Sequence, residues 1–308
     1  MAGVSALLLD SASLYYRAYF ALPESITGPD GQPVNAVRGF LDTVGALARE
    51  RGSTSIVACW DDDWRPQWRV DLVPTYKTHR VQDEAGPAAP AVEEVPDTLA
   101  PQVDILADLL DETGIPRVGA LECEADDVIA TMALRSRSPL DIASGDRDLV
   151  QLVSDRVTLL FTGGSSASRG GRPYTPMDPM TVRERFGVPP GQYADLSILR
   201  GDPSDGLPGV RGIGEKTAAA LVAAFGGIDG ILDAARDPGS PKPMTPALRE
   251  RLLASEESLR DLERVVRLAV RPGVPPLPRM TLSPDRGMAA ARRYGVESAM
   301  RRLLDAVS

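Results

Sequence analysis

Four short apolar runs punctuate the first half of the chain, at residues 4–9, 55–60, 140–143 and 157–161. Each is too short for a helix and too continuous for a strand with one wet face, so each predicts a strand buried on both sides. Between them, apolar positions recur at helical spacing over 35–51, 97–113 and 125–137. Strands alternating with helices predict an α/β fold, with a mainly parallel central sheet and flanking helices. From Pro179 onward the pattern is helical, punctuated by Pro189-Pro190, the Gly-rich stretch 201–214, Gly226-Gly227 and the Pro-rich stretch 238–243. The expected division is an α/β core over 1–177 and a helical region over 178–308. No repeat of solenoid type is present.

The polar residues that end the apolar runs are acids. Asp10 follows the first run, Asp61-Asp62-Asp63 the second, and Ser144-Gly145-Asp146-Arg147-Asp148 the third. In an open α/β sheet the ligand crevice lies outside the C-terminal strand ends, where these carboxylates are expected to gather. Residues 81–95 are rich in Pro, Ala and Glu without a period, which predicts a mobile lid or arch, spanning about 70–97 with its flanks. Residues 163–172 read as a Gly-rich surface loop.

Composition narrows the chemistry. A chain of 308 residues, 43% hydrophobic, is long enough to bury a sizeable core. The apolar run at 4–9 is too short to span a bilayer and lacks a basic flank, so it reads as a strand rather than a signal, and a cytoplasmic location without membrane association is expected. Cys59 and Cys123 form no disulfide framework or zinc spacing and read as small buried hydrophobes. With His79 the one histidine, Ser-His-Asp and Cys-His catalysis is disfavoured, which leaves carboxylates and metals. The formal charge of −9 argues against nucleic-acid binding unless clustered acids hold cations that reverse the local sign. Only Lys77, Lys216 and Lys242 of the 34 basic residues are lysines, so each lysine position invites a question.

The densest acidic string, Glu122-Cys123-Glu124-Ala125-Asp126-Asp127, opens a helical pattern, where acids also serve as ordinary caps. Its coincidence with Asp10, Asp61, Asp146 and Asp148 at one sheet edge changes the weighting. Unneutralised carboxylates would repel there, and divalent cations are the simplest remedy. Oxygen ligands without Cys or His suit Mg²⁺ or Mn²⁺. Asp202 and Asp205, in Gly201-Asp202-Pro203-Ser204-Asp205-Gly206, could close the cluster from the helical half. A two-ion site of this kind would activate water against a phosphodiester.

These strings, with Tyr76-Lys77-Thr78-His79-Arg80, the Asp61 strand end with Arg69 beyond it, 199–210 and Gly212-Ile213-Gly214-Glu215-Lys216-Thr217-Ala218, stand in family order over roughly residues 4–235. The chain resembles the 5′ nuclease superfamily of flap endonucleases and 5′→3′ exonucleases, specifically stand-alone bacterial relatives of the N-terminal domain of DNA polymerase I. The resemblance implies a first metal site at Asp10, Asp61, Glu124 and Asp126. It implies a second at Asp126, Asp146, Asp148 and Asp205, with Asp127 and Asp202 as further acids. Asp61, Asp62 and Asp63 compete for one ligand position, and Asp61 directly follows the strand. Gly206 stands where the family usually has Asn.

The resemblance also implies DNA-handling residues: a helix-hairpin-helix over about 201–235 that grips duplex through Gly212, Gly214, Lys216 and Thr217. It implies a K⁺ on the carbonyls near Val210 and Ile213, and catalytic cations Lys77 and Arg80 carried by the arch, with Tyr76 and Arg17 at the DNA. Glycines and helix N-terminal amides suit phosphate without reading bases, while an ordinary helical hairpin remains the plain alternative. Tyr15, Tyr16, Tyr19 and Phe20 could stack on a base but sit at helical spacing typical of core. The implied activity is hydrolysis of DNA at 5′ flaps, nicks or single-strand/duplex junctions, in replication and repair, by a monomer. Three rivals stand beside it. A haloacid-dehalogenase-type phosphatase needs a second Asp where Ala12 stands; a metal-less DNA-binding module would lack several of the acids; and a related ribonuclease would need no hairpin.

Overall fold

The computed structural model describes residues 6–81, 93–164 and 173–308. Its centre is a sheet in the order β3-β2-β1-β4-β5-β6, built from β1 (Ala6–Asp10), β2 (Ile56–Cys59), β3 (Arg117–Val118), β4 (Leu140–Ser144), β5 (Val157–Phe161) and β6 (Thr175–Met177). All neighbours pair in parallel except β5 and β6. The expected α/β architecture is thus present, with two short edge strands, β3 and β6, that the apolar runs did not signal. Two and three residues long, they carry too little pattern to be read. Of the run at 4–9, residues 4 and 5 lie outside the described residues, as do 82–92 of the expected arch and most of the loop at 163–172.

Alternation within β1 shows why its run is uninterrupted. Ala6 and Leu8 point into one core layer, Leu7 and Leu9 into the other. The first layer is covered by α5 (Ala125–Arg135) and the helices after β6: α6 (Pro179–Phe186), α7 (Tyr193–Arg200), α8 (Glu215–Phe225), α9 (Ile228–Arg236), α10 (Pro246–Ala254) and α11 (Glu256–Val266). The second is covered by α1 (Ser11–Ala21), α2 (Asn35–Arg51) and α4 (Ala100–Thr113). The last helices return to join it, α12 (Pro284–Tyr294) on α4 and α13 (Glu297–Val307) on α2. The short α3 (Gln67–Leu72) lies between β2 and the expected arch. No single described helix is long and apolar enough to cross a membrane; α8 and α9, bent by 83°, are apolar together, but Leu221, Val222, Ile231 and Leu232 are buried in the core.

From β1 the sheet grows outward through β2 and β3 on one side and β4 and β5 on the other. The switch point between β1 and β4 opens a crevice at their C-terminal ends, where Asp10 and the 144–148 loop meet.

Candidate active site

Asp10 ends β1 and caps α1, its Oδ1 accepting the Ser13 amide at 3.2 Å, while the Ser144 hydroxyl at the end of β4 donates to Oδ2. Burial pushes its pKa up, against the pull of those hydrogen bonds. Beside it a cavity of about 760 Å³ is walled by Asp61, Glu124, Asp126, Asp146, Asp202 and Asp205, with Lys77, Arg80, Tyr16 and Glu93 also on its surface. The structure therefore brings most of the expected acids together. It also separates the three aspartates after β2: Asp61 faces the cavity and accepts the Ala125 amide at 2.7 Å, Asp62 is exposed beside Gly119, and Asp63 accepts the Arg65 amide. Asp61 is raised to about 7, by desolvation first, with Lys77 opposing.

Lys77 is placed differently from the expectation of a mobile arch. Its φ is +48°, its amide donates to the Asp205 carbonyl at 2.9 Å, and its Nζ meets Glu124 Oε2 and the Trp64 carbonyl, leaving the residue 8% exposed. A buried ammonium must be paired, and Glu124 is the acid within reach. Burial would lower its pKa, but Glu124, then Asp205 and Asp61, raise it above the ordinary lysine value. Tyr76 is likewise not at a DNA-facing surface: it is buried, and its hydroxyl donates to Glu124 Oε1 at 2.7 Å. Arg80 reaches Asp205 at 3.0 Å and the Ser204 carbonyl at 2.9 Å.

Arg69, from α3, lies almost wholly inside the protein, 2.6 Å from Glu124 Oε1, 3.1 Å from Asp127 Oδ2 and 3.5 Å from Asp126 Oδ1. Burial raises the Glu124 pKa, but Lys77 and Arg69 together hold it below the usual value. Asp127 departs from its expected role as a further metal-facing acid. It is fully buried, its two oxygens taken by Arg69, Arg271 and the Glu124 amide, and it is not among the residues lining the cavity. A carboxylate at the third position of α5 is well placed to bond the cap amide, and the arginines complete its neutralisation.

On the β4 side, Asp146 Oδ1 accepts the Asp148 amide at 2.8 Å, which orders the turn after the strand. Asp148 sits behind it, buried, 3.4 Å from the Ser197 hydroxyl on α7. Both are pushed up, first by burial and then by like charge, Asp148 and Asp205 acting on Asp146, Asp205 and Asp202 on Asp148. Asp205 is raised by burial too, with Lys77 and Arg80 opposing. Asp202 turns the 201–206 loop, accepting the Ser204 amide at 2.8 Å. Gly206 has a reason of its own: its φ is +71°, and a Cβ would stand 2.1 Å from the Thr75 carbonyl. Asparagine there would collide with the backbone that presents Lys77.

Gly212 and Gly214 are exposed in the connection between α7 and α8, Lys216 is exposed in the first turn of α8, and Thr217 beside it is half-buried. The side chains of Val210 and Ile213 are buried, and the Ile213 amide donates to the Val210 carbonyl at 3.0 Å. Arg17 donates to the Gly164 carbonyl at 2.8 Å and lines a smaller groove between α1 and α2 rather than the acidic cavity. Tyr15 and Leu14 pack in the core, Tyr16 faces the cavity and Phe20 is exposed. Residues absent from the sequence-based site, Ser144, Ser197 and Arg271 above all, act through hydrogen bonds to acids, and no periodicity signals such pairings.

The donors suit a hard divalent ion: carboxylate oxygens only, several of them desolvated with raised pKa values, and Asp126 Oδ1 accepting no hydrogen bond among the described residues. Their spacing is less complete. Among the described residues no three Asp, Glu, His or Cys side chains stand close enough to form a coordination shell; Lys77, Arg69 and Arg80 stand among them, paired to Glu124, Asp126 and Asp205. The chemistry therefore fits, with side chains that must turn toward an ion.

Comparison with known proteins identifies the family. The family model described as 5′-3′ exonuclease, N-terminal resolvase-like domain matches residues 5–187, and that described as 5′-3′ exonuclease, C-terminal SAM fold matches 188–278. A 5′-3′ exonuclease of Streptomyces coelicolor is 48% identical over 97% of this chain and 98% of its own length, and one of Mycobacterium tuberculosis is 46% identical over 98% and 97%. A DNA polymerase I of Mycobacterium bovis is 38% identical over 74% of this chain but only 24% of itself. Among solved structures, a bacteriophage T5 flap endonuclease in complex with DNA and metal ions is similar in fold, with TM-score 0.61 and 20% identity over 98% of this chain and 99% of that one. The catalytic core of Rad2 with DNA substrate gives 0.60 and 16%, over 99% and 92%. On the two family models and on relatives nearly half identical along almost its whole length, the chain belongs to the 5′-3′ exonuclease family and is an enzyme of the 5′ nuclease class.

Proposed function

We propose that the protein is a structure-specific 5′ nuclease that hydrolyses DNA phosphodiesters near 5′ ends, flaps, nicks or single-strand/duplex junctions, serving replication and repair. The observation that carries this reading is the convergence of Asp10, Asp61, Glu124, Asp126, Asp146 and Asp205 on one cavity whose surface also presents Lys77 and Arg80. A phosphodiester entering an acidic cavity must meet cations, and the chain supplies two. Two bound Mg²⁺ or Mn²⁺ ions would supply activation of water and stabilisation of the leaving oxygen. Asp10, Asp61, Glu124 and Asp126 would hold one, and Asp126, Asp146, Asp148 and Asp205 the other.

The chain's own residues have separable parts in this scheme. Lys77 lines the cavity with Nζ held by Glu124 and the Trp64 carbonyl, so of its three N–H donors one is left for a phosphate. Arg80, more exposed and shared with Asp205, suits an entering strand. The α8 N-terminus, with exposed Gly214 and Lys216, offers amides and a cation to a duplex phosphate. A K⁺ on the carbonyls near Val210 and Ile213 would extend that grip.

The test is cleavage of 5′-labelled flap, nicked and single-stranded DNA with Mg²⁺, Mn²⁺ or EDTA. Cleavage at the junction that requires the metal is expected, and chelator-insensitive activity overturns the metal reading. Under single-turnover conditions Lys77→Ala should lose roughly a hundredfold in rate, as for other groups that stabilise charge developing in the transition state. A variant that loses only DNA affinity removes Lys77 from the chemical step.

A further inference from the structure

The segment that follows α11 runs along α5, touching Asp127, Thr131 and Arg135, and Arg271 fixes it there. Its amide donates to Thr131 Oγ1 at 2.9 Å, its carbonyl accepts from Arg135 Nη2 at 3.3 Å, and its Nε lies 3.1 Å from Asp127 Oδ1. Its guanidinium stands 4.3 Å from the centre of the Trp68 ring, and that of Arg69 stands 5.0 Å from the same ring. Trp68 is itself tied to the loop before α5, donating from Nε1 to the Glu122 carbonyl at 3.2 Å. Two arginines from distant parts of the chain thus share one indole and one buried carboxylate.

Asp127 is the bridge, with Arg271 on Oδ1 and Arg69 on Oδ2. Arg69 must serve three acids with one planar fork, and its share for Glu124 and Asp126 depends on how much Asp127 demands. Arg271 meets part of that demand from outside the cavity. Both guanidiniums are further held by the ring face, which attracts cations and restricts where they can move.

We propose that Arg271, seated on Trp68, is a positioning residue of the catalytic site. By satisfying Asp127 it leaves the Arg69 fork to orient Glu124 and Asp126, and so couples the segment after α11 to the carboxylates. The inference rests on the reading of those two acids as metal-holding. Partners that bond a ligating side chain set its orientation and the ion affinity in metalloenzymes generally; Arg69 stands in that place here, and Arg271 acts on it through Asp127.

The full chain without DNA is titrated with Mn²⁺, and binding is followed by the loss of the free-ion electron paramagnetic resonance signal, alongside thermal melting in EDTA. Arg271→Ala should weaken Mn²⁺ binding about tenfold, and Arg271→Lys, which keeps the charge, should recover to within about threefold of the parent. Arg267→Ala is the control. It removes the 2.6 Å pair with Asp195 that anchors the end of α11 to α7, loosening the same stretch of chain without touching Asp127. It should lower the melting temperature yet keep Mn²⁺ affinity within about twofold, as neither Asp195 nor Glu263, the acids that lose a partner, lines the cavity. If Arg271→Ala melts early but binds Mn²⁺ as the parent does, or if Arg267→Ala loses affinity equally, Arg271 is a packing residue and the proposal falls. If the parent itself takes up no Mn²⁺, the metal reading fails and carries this inference with it.

Discussion

Glu124 and Asp148 are both buried acids of one site, yet their surroundings oppose each other. Glu124 is met by Lys77, Arg69 and the Tyr76 hydroxyl, and its pKa lies below the usual value despite burial. Asp148 has a serine hydroxyl at 3.4 Å and Arg200 as its opposing charge, and burial with Asp205 and Asp202 drives it upward. One flank of the cavity is neutralised by cations the chain carries; the other is crowded with like charge. The difference indicates that Glu124 contributes to holding the fold, whereas the Asp146–Asp148–Asp205 flank gains most from a cation arriving from outside.

The largest expected effect separates the two flanks. Asp148→Asn keeps size and removes a repelling charge, so cleavage with Mg²⁺ should fall roughly a thousandfold, about 4 kcal/mol of barrier, while flap DNA still binds. In EDTA its melting temperature should rise. Glu124→Gln leaves the ammonium of Lys77 and part of the Arg69 fork without their partner, and should lower stability by about 3 kcal/mol. Melting both variants in EDTA beside single-turnover cleavage reads the contrast. If Asp148→Asn also melts lower, or Glu124→Gln is as stable as the parent, the contrast between the flanks is not what the pairings indicate.

A smaller effect follows from pH. Asp61 is raised to about 7 from 3.8, and Asp10, Asp126, Asp146 and Asp148 move the same way. Between those values the folded chain holds protons that the unfolded chain has released, so stability declines as pH rises through the window and levels off above it. Glu124, shifted downward, acts oppositely, but its contribution is lost only as pH falls below the ordinary 4.5. Melting in EDTA should therefore decline from pH 5 to pH 7.5, and Mg²⁺ should restore more stability at the upper end. A flat profile in EDTA would mean these acids are solvated in solution.

Much of this was readable in the chain because strand ends are periodic features. Asp10, Asp61 and Asp146 follow apolar runs that could only be buried strands, and parallel pairing then puts them on one edge. What was not readable is the pairing of charges. Nothing in the spacing of Lys77 distinguishes a cation on a loop from one folded back under Asp205, and the decisive contact is with Glu124, far along the sequence. Asp127 is expected as a further acid beside the ligand Asp126, but one turn of α5 presents the first to Arg69 and Arg271 and the second to the cavity. Gly206 reads as a departure from the family pattern until the Thr75 carbonyl is seen where a Cβ would stand. Such contacts are decided by tertiary approach, which local pattern does not encode.

Arg80 lies between the flanks and should give the smallest effect. Its pair with Asp205 is 3.0 Å long, but the side chain is 37% exposed, so water and salt screen the attraction. Arg80→Gln should cost no more than about 1 kcal/mol of stability, as expected of a partly exposed pair. Because Asp205 then lacks this competing cation, Mn²⁺ binding should stay level or tighten slightly. DNA should respond differently: an arginine that leaves Asp205 for a strand phosphate contributes one counterion's worth of salt dependence, so the slope of log affinity against log salt should become shallower by roughly 0.9 for duplex, or 0.7 for a single strand. Measured on flap and duplex substrates, a change confined to the flap would place Arg80 at the displaced strand. An unchanged slope on both would leave Arg80 as the partner of Asp205 alone, and the β4 flank would then hold one more internal cation than the contrast with Glu124 allows.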